Sequence, residues 1–277
     1  MKTLPKLSII TPSFNQASFI DRTIRSVLDQ NYPSLEYIVV DGGSQDGTID
    51  ILKKYERRLK WISEKDEGQA DAINKGILMA TGDIIAYLNS DDVYEPGALQ
   101  RVAEYFAAHP EAMWLTGKCR IIDEYDREIR GMITAYKNFL LRHYSYEMLL
   151  VTNPISQPAT FWRRGLVREF GLFDINEHLV MDYEYWLRIG RRYSPGILNG
   201  YLARFRVHGR AKTVSTNFSN FKQELAVAKK YSGSITVRVL HYANYAIIVS
   251  AYVSMAFLSR MIRSLSLNRQ KARTSMP

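Results

Sequence analysis

The sequence predicts an α/β protein: a doubly wound, mostly parallel sheet followed by a C-terminal helical appendage. Three observations lead there. Short apolar strands alternate with amphipathic helices up to about residue 210, the rhythm of a parallel sheet covered on both faces. The strands end in turns rich in Asp, Asn, Ser and Gly, and such a sheet binds ligands at the carboxyl ends of its strands. Beyond the sheet, the run from Val239 to Leu258 holds 20 residues with no Asp, Glu, Lys or Arg. The expected division is a sheet unit over residues 1–214 and a helical region over 215–277.

Bulk properties narrow the possibilities. The 277 residues, 46% of them apolar, are ample for a packed core, which excludes a disordered chain. A single cysteine, Cys119, excludes an intrachain disulfide and any cysteine cluster for zinc, and it suits a reducing compartment. Met1-Lys2-Thr3-Leu4-Pro5-Lys6 leads directly into a strand, so no signal peptide is expected. The net charge of +9 calls for an anionic partner, such as nucleotide phosphate or anionic lipid.

The elements follow in order. Leu7-Ser8-Ile9-Ile10 is a strand ending in the turn Thr11-Pro12-Ser13-Phe14-Asn15. Ser18 is placed to cap a helix whose apolar positions are Ile20, Ile24, Val27 and Leu28. A second strand, Tyr37-Ile38-Val39-Val40, ends in Asp41-Gly42-Gly43-Ser44-Gln45-Asp46-Gly47-Thr48. There Asp41 can accept hydrogen bonds from a base or ribose, or the octapeptide is a plain turn. Trp61-Ile62-Ser63 is a third strand, and Glu67 to Gly76 reads as loop into helix, with Asp71, Asn74 and Lys75 one turn apart. The central strand Ile84-Ile85-Ala86-Tyr87 feeds two adjacent carboxylates into Asn89-Ser90-Asp91-Asp92, the way such a fold holds Mg²⁺ or Mn²⁺ beside a phosphate. A helix is expected from Glu95 to Ala108, capped by Asp92 unless Asp92 stands behind the metal ligand. After the strand Met113–Ile122, the stretch Asp123 to Glu128 reads as a solvated hairpin. Helical residues from Tyr136 either cover the sheet, the reading preferred here, or line an acceptor groove or membrane. No GxGxxG or GxxxxGK[ST] motif is present, so the site rests on strand-end carboxylates and not on a glycine-cradled phosphate.

Thr11-Pro12-Ser13-Phe14-Asn15, Asp41 to Thr48 and Asn89-Ser90-Asp91-Asp92, in this order and spacing, resemble the GT-A fold glycosyltransferases of family 2. The resemblance spans residues 7 to about 210. It implies a nucleotide-diphosphate-sugar donor, Mn²⁺ or Mg²⁺, and transfer with inversion. It also implies that Pro12, Asp41 and Asp71 line the nucleoside pocket and that Asp91 holds the metal. Thr11, Ser13, Asn15, Ser44, Gln69, Asn74, Asn89 and Ser90 are expected around the same donor. Many members begin the metal motif with Asp where this chain has Asn89, an amide that adds no charge.

Gln157 is placed to face substrate on the acceptor side. Asp182, ahead of a helix carrying Trp186, Leu187 and Ile189, is either its N-cap or, by the resemblance, the catalytic base. Glu184 is the fallback. Most members carry Glu before that Asp, where this chain has Met181. His208 ends a strand and, with Lys212 and Thr213, resembles the segment closing over the diphosphate; imidazole there can ligate the metal or contact phosphate. A polar helix is expected from Asn217 to Tyr231.

The resulting expectation is a metal-dependent inverting glycosyltransferase. It moves one sugar, from a UDP-sugar on family frequency, to a glycan acceptor that is lipid-linked, in bacterial surface polysaccharide synthesis. The chain lacks a QxxRW motif, which argues against a processive synthase. The expected location is cytoplasmic and peripheral on the inner membrane, with basic residues flanking the uncharged run and facing anionic lipid. No nucleic-acid partner is expected, and homodimerisation stays open. Two alternatives compete: a non-catalytic nucleotide-sugar-binding scaffold on the same fold, left open by Asn89 and Met181, and a nucleotidyltransferase. The second would want a basic loop after the first strand, and Thr11 to Asn15 has no Lys or Arg.

Overall fold

The structure, a computed structural model, describes residues 4–209 and 217–250. Its centre is one eight-stranded sheet in the order β3-β2-β1-β4-β7-β6-β8-β5. The strands β1 (Leu7–Ser13), β2 (Leu35–Asp41), β3 (Lys60–Ser63) and β4 (Ile84–Tyr87) run parallel. Antiparallel β7 (Thr160–Arg163) then joins β4 to β6 (Trp114–Ile122), and β8 (Gly196–Arg206) lies parallel to β6. A two-residue strand, β5 (Val93–Tyr94), closes the far edge.

Period-two burial divides the core in two. Leu7 and Ile9, Tyr37 and Val39, and Ile84 and Ala86 face one side, where they meet α1 (Ile20–Leu28), α2 (Thr48–Lys53) and α4 (Ala98–Ala108). Ile10, Ile38, Val40, Ile85 and Tyr87 face the other, under α3 (Gln69–Met79), α6 (Tyr146–Val151), α7 (Gly165–Phe170) and α8 (Met181–Gly190). Gly76 lets α3 lie directly on β1, since a Cβ there would collide with the Ile10 side chain. The helix Asn217–Tyr231 packs on α8 and adds Val227 and Ala228 to this second core. It has the bounds expected from sequence. Another helix occupies 235–250, so the uncharged run expected over Val239–Leu258 is described only in part.

Several expectations needed revision. Ser18 is not the N-cap: Phe19 holds that position, and the Gln16 carbonyl accepts from the Phe19 and Ile20 amides. Helix α4 begins at Ala98, because Gly97 in a left-handed conformation (φ 71) turns the chain after β5. The solvated hairpin is found as expected, exposed over residues 124–128, and it is also tied inward, since Asp126 pairs with Arg22 at 2.9 Å and with fully buried Arg206 at 2.6 Å. The helical stretch from Tyr136 covers the sheet in part: α5 (Gly131–Arg142) lies against β6 and buries only Thr134 and Leu141, while α6 buries Leu149 and Leu150 in the second core.

Candidate active site

Parallel register brings Ser13, Asp41 and Ser63 side by side at the carboxyl edge of the sheet. Asp41 is fully buried, and its loop surrounds it with donors. Its Oδ2 accepts from the Gly43 and Ser44 amides at 3.0 and 2.8 Å and from Ser63 Oγ at 2.8 Å, while Oδ1 accepts from Ser44 Oγ at 2.5 Å. Ser44 Oγ in turn accepts from the Asn15 amide at 2.7 Å, and Asn15 Oδ1 accepts from the Gln45 amide at 2.9 Å. Buried polar groups must be satisfied, and here these residues satisfy one another. Asn15 and Ser44 therefore shape the first two loops against each other, with Asn15 exposed at the strand end. Thr11 is corrected from donor contact to core, because its hydroxyl meets that of Tyr37 inside the core at 3.1 Å. Pro12 is buried at the strand end. Ser13 is different: its buried hydroxyl has no partner among the described residues, a polar group left for a ligand to satisfy.

The β4 end is built around a buried arginine. Arg206 donates through Nε to the Asp91 carbonyl at 2.7 Å and through Nη1 to the Asp123 carbonyl at 2.9 Å, and its backbone amide donates to Asp92 Oδ1 at 2.8 Å. Asp92 therefore clamps β8 and does not cap α4. Burial, then the charge of Asp91, pushes its carboxyl well above the usual range. Ser90 is buried, its carbonyl held by Thr23 Oγ1 at 2.9 Å. Asp91 keeps 19% of its side chain exposed, and its Oδ2 lies 3.0 Å from His208 Nε2.

These two residues suit a divalent cation. Asp91 Oδ2 and His208 Nε2 are hydrogen-bonded to each other at 3.0 Å, and together they offer a carboxylate oxygen and an imidazole nitrogen that would hold such an ion. Among the described residues no group of three His, Cys, Asp or Glu is arranged to hold a metal. That fits a cation completed by water and phosphate oxygens, the usual habit of Mg²⁺. Lys212 and Thr213, expected beside His208, lie outside the described residues.

A cleft of about 460 Å³ opens beside this pair and is lined by Gln69, Asn89, Gln157 and Asp182 among others. Gln69 Nε2 donates to Asn89 Oδ1 at 2.6 Å, and Gln157 Nε2 donates to the Tyr87 carbonyl at 2.7 Å. Asp71 receives the Glu67 amide at 3.1 Å and faces Lys75 at 3.3 Å, with a quarter of its side chain exposed. Asp182 sits inside the first turn of α8 while Val180 holds the cap position, so the capping role is excluded. Its Oδ1 accepts from the Tyr183 amide at 2.9 Å, yet burial raises its carboxyl above the ordinary range.

Two further site residues leave the list. Glu184 binds Arg188 at 2.7 Å and accepts from the Tyr231 hydroxyl, so it fastens the helix Asn217–Tyr231 and is corrected from acceptor contact to strut. Asn74 is buried, and its amide exchanges two hydrogen bonds with the Phe173 backbone, at 2.9 and 3.0 Å. It is corrected to a clamp between α3 and the chain entering α8. Asn74→Ala is expected to lose about 1–3 kcal/mol for each backbone group left unpaired, read as a lower midpoint in urea. Unchanged stability with a raised donor KM would return Asn74 to the donor pocket.

Sequence reasoning missed Glu224 and gave Lys137 no chemical role. Glu224, on the helix Asn217–Tyr231, has its carboxyl pushed up to about 7 by burial first and then by the charge of Asp182, with Lys137 pulling the other way. Lys137 lines the cleft and is lowered by burial. The clue available in the sequence was a lone Glu among Phe221, Leu225 and Val227 on a helix otherwise read only as polar.

Strand-end loops carrying Asp at β2 and β4, on a sheet that turns from parallel to mixed after β4, define a glycosyltransferase of the GT-A type. The family model described as glycosyl transferase family 2 matches residues 8–170, and the chain belongs to that family. A glycosyltransferase of Mycobacterium tuberculosis is 32% identical over 214 residues, covering 76% of this chain and 78% of its own. The putative teichuronic acid biosynthesis glycosyltransferase TuaG of Bacillus subtilis is 40% identical over 117 residues, 41% of this chain and 46% of its own. S. aureus TarS in complex with UDP-GlcNAc superposes with a TM-score of 0.63 at 17% identity, over 83% of this chain and 68% of that one. The mannosyltransferase PcManGT from Pyrobaculum calidifontis, in complex with GDP-Man and Mn²⁺, gives 0.60 at 17%, over 89% and 81%. At such identities the structural likeness speaks for the fold. The family also disposes of the nucleotidyltransferase alternative, and with glycosyltransferase relatives on every side the chain is an enzyme.

Proposed function

We propose that this glycosyltransferase moves a single sugar from a nucleotide-diphosphate-sugar, UDP-linked, to a lipid-linked glycan acceptor in bacterial surface polysaccharide synthesis. The observation that carries this reading is that Asp182, at the start of α8, shares one cleft with Asn89 just past β4, Gln69 at the start of α3 and Gln157 ahead of β7. The nucleoside end of the donor would lie over Pro12, Asp41 and Asp71, with Ser13 offering its unpartnered hydroxyl. Asp91 and His208 would hold Mn²⁺ or Mg²⁺, which supplies Lewis-acid neutralisation of the leaving diphosphate. Asp182 accepts the proton of the acceptor hydroxyl as that oxygen attacks the anomeric carbon from the side opposite the diphosphate, which inverts the centre. Residues 1–214 would form the catalytic unit and 215–277 a region that rests on the cytoplasmic face of the membrane. The UDP-GlcNAc complex of TarS and the name of TuaG support donor and pathway class.

The test is a thermal-shift screen against UDP, GDP, CMP and dTDP sugars, each with and without Mn²⁺. A ligand at about 100 times its Kd adds roughly 2.7 kcal/mol, so a UDP-sugar should raise Tm by several degrees only when Mn²⁺ is present. Equal shifts without metal, or a shift confined to GDP-sugars, would refute the cation or the UDP assignment respectively.

A further inference from the structure

Resting on the lipid-linked acceptor reading, we propose that α5 and the helix 235–250 together form a docking face for an anionic lipid bilayer, and that this face sets the acceptor end of the cleft at the membrane surface. The first observation concerns α5. At 3.6 residues per turn, Met132, Tyr136 and Phe139 fall on one stripe, and they are 77%, 40% and 59% exposed. Ile133, Thr134 and Lys137 fall on roughly the opposite side of the same helix, and all three line the cleft that holds Asp182. One helix thus shows apolar side chains to solvent and its other face to the acceptor end of the site.

The second observation extends the face. The Tyr136 hydroxyl donates to Asn244 Oδ1 at 3.1 Å, which joins α5 to the helix 235–250. That helix is fixed to the protein on one side: Phe221 stacks on Tyr245 at 3.7 Å, and His241 is buried against the Leu150 carbonyl. On another side Ile235, Val239, Tyr242 and Val249 share a stripe, exposed by 69%, 61%, 55% and 39%. Scattered exposed apolar residues need no explanation. Two adjoining helices that both turn such stripes to solvent are a patch of the kind that marks an interaction surface.

Charge selects the occupant. Neither helix contains Asp or Glu; Arg142 and Arg238 lie on them, while Lys137 faces the cleft and adds nothing to this surface. The chain beyond, residues 251–277, contains five Lys or Arg and again no acidic residue. An apolar face with tyrosines and a wholly basic complement suits the headgroup boundary of anionic lipid. No described helix is long and apolar enough to cross a membrane.

The experiment uses the full chain and flotation with vesicles of phosphatidylcholine, with and without phosphatidylglycerol. Wild type should float with anionic vesicles and less so in high salt. Met132→Glu with Phe139→Glu should lower the partition coefficient at least about tenfold, leaving the UDP-induced thermal shift unchanged. Leu78→Glu, at a residue 73% exposed on α3, should float like wild type. The proposal is overturned if wild type never floats, if the double variant floats normally, or if Leu78→Glu loses as much. Light scattering showing a dimer that the double variant dissolves would also overturn it, assigning the face to a second copy. A protein that floats as described yet transfers sugar only to soluble acceptors would instead remove the lipid-linked acceptor and leave the docking face standing.

Discussion

Asp91→Ala is expected to reduce transfer by at least about 10³-fold, because the developing charge on the departing diphosphate loses the site that neutralises it. The substitution should also erase any gain in nucleotide affinity on adding Mn²⁺. The carboxylate is not a fold determinant. It is partly exposed and, among the described residues, its side chain bonds to His208, whereas the local backbone is held by Arg206 on the Asp91 carbonyl. The variant should therefore melt within about 1 kcal/mol of wild type. His208→Ala, which removes the companion donor, should give a milder loss of about 10- to 100-fold, repaired in part by higher Mn²⁺. Turnover near normal with the same metal requirement in Asp91→Ala would move the cation elsewhere.

The contrast between Asp91 and its neighbours shows what a sequence can and cannot disclose about this site. Strand periodicity told the two faces of the sheet apart, since Ile9 and Ile10 fall into different cores as alternation demands. It could not tell which polar residues at a strand end face the ligand and which face each other. Asp41, Ser44 and Asn15 form one hydrogen-bonded set, and Asn74 reaches a residue 99 positions away. Such pairings depend on how loops meet in space, to which local pattern is blind. The same blindness hid Glu224 and Arg206. A charged residue inside an apolar stretch reads as an exposed position until its partners, Asp182 in one case and Asp91, Asp92 and Asp126 in the other, are brought to it by the fold. The bulge in the pairing of β6 with β8 and the antiparallel insertion of β7 were likewise unreadable, because neither leaves a periodic trace.

Asp182→Asn is expected to lower kcat by about 10² to 10⁴, the usual cost of losing a general base, with donor KM nearly unchanged. The fold should survive, because the Asn side-chain oxygen can still accept from the Tyr183 amide and Asp182 does not hold the cap position. The wild-type pH profile gives the sharper check. A base works only when ionised, and burial raises the Asp182 carboxyl, so the rate should climb with pH beyond the ordinary carboxylate range. Stability should move the other way. Both Asp182 and Glu224 are raised in the folded state, Glu224 to about 7, so the folded protein holds protons that the unfolded chain releases. Their contribution is complete below the unfolded value, about 4.3 for Glu, and is lost as pH rises through about 7. Asp182→Asn removes one of the two facing charges and should flatten that fall, leaving the variant at least as stable as wild type above pH 7. Lys137→Met would do the reverse, since its ammonium draws both carboxyls down. Urea midpoints between pH 5 and 8 for the three proteins separate these outcomes. If Asp182→Asn unfolds more readily at pH 8 than wild type, the carboxylate holds the helix in place and another group must take the acceptor's proton.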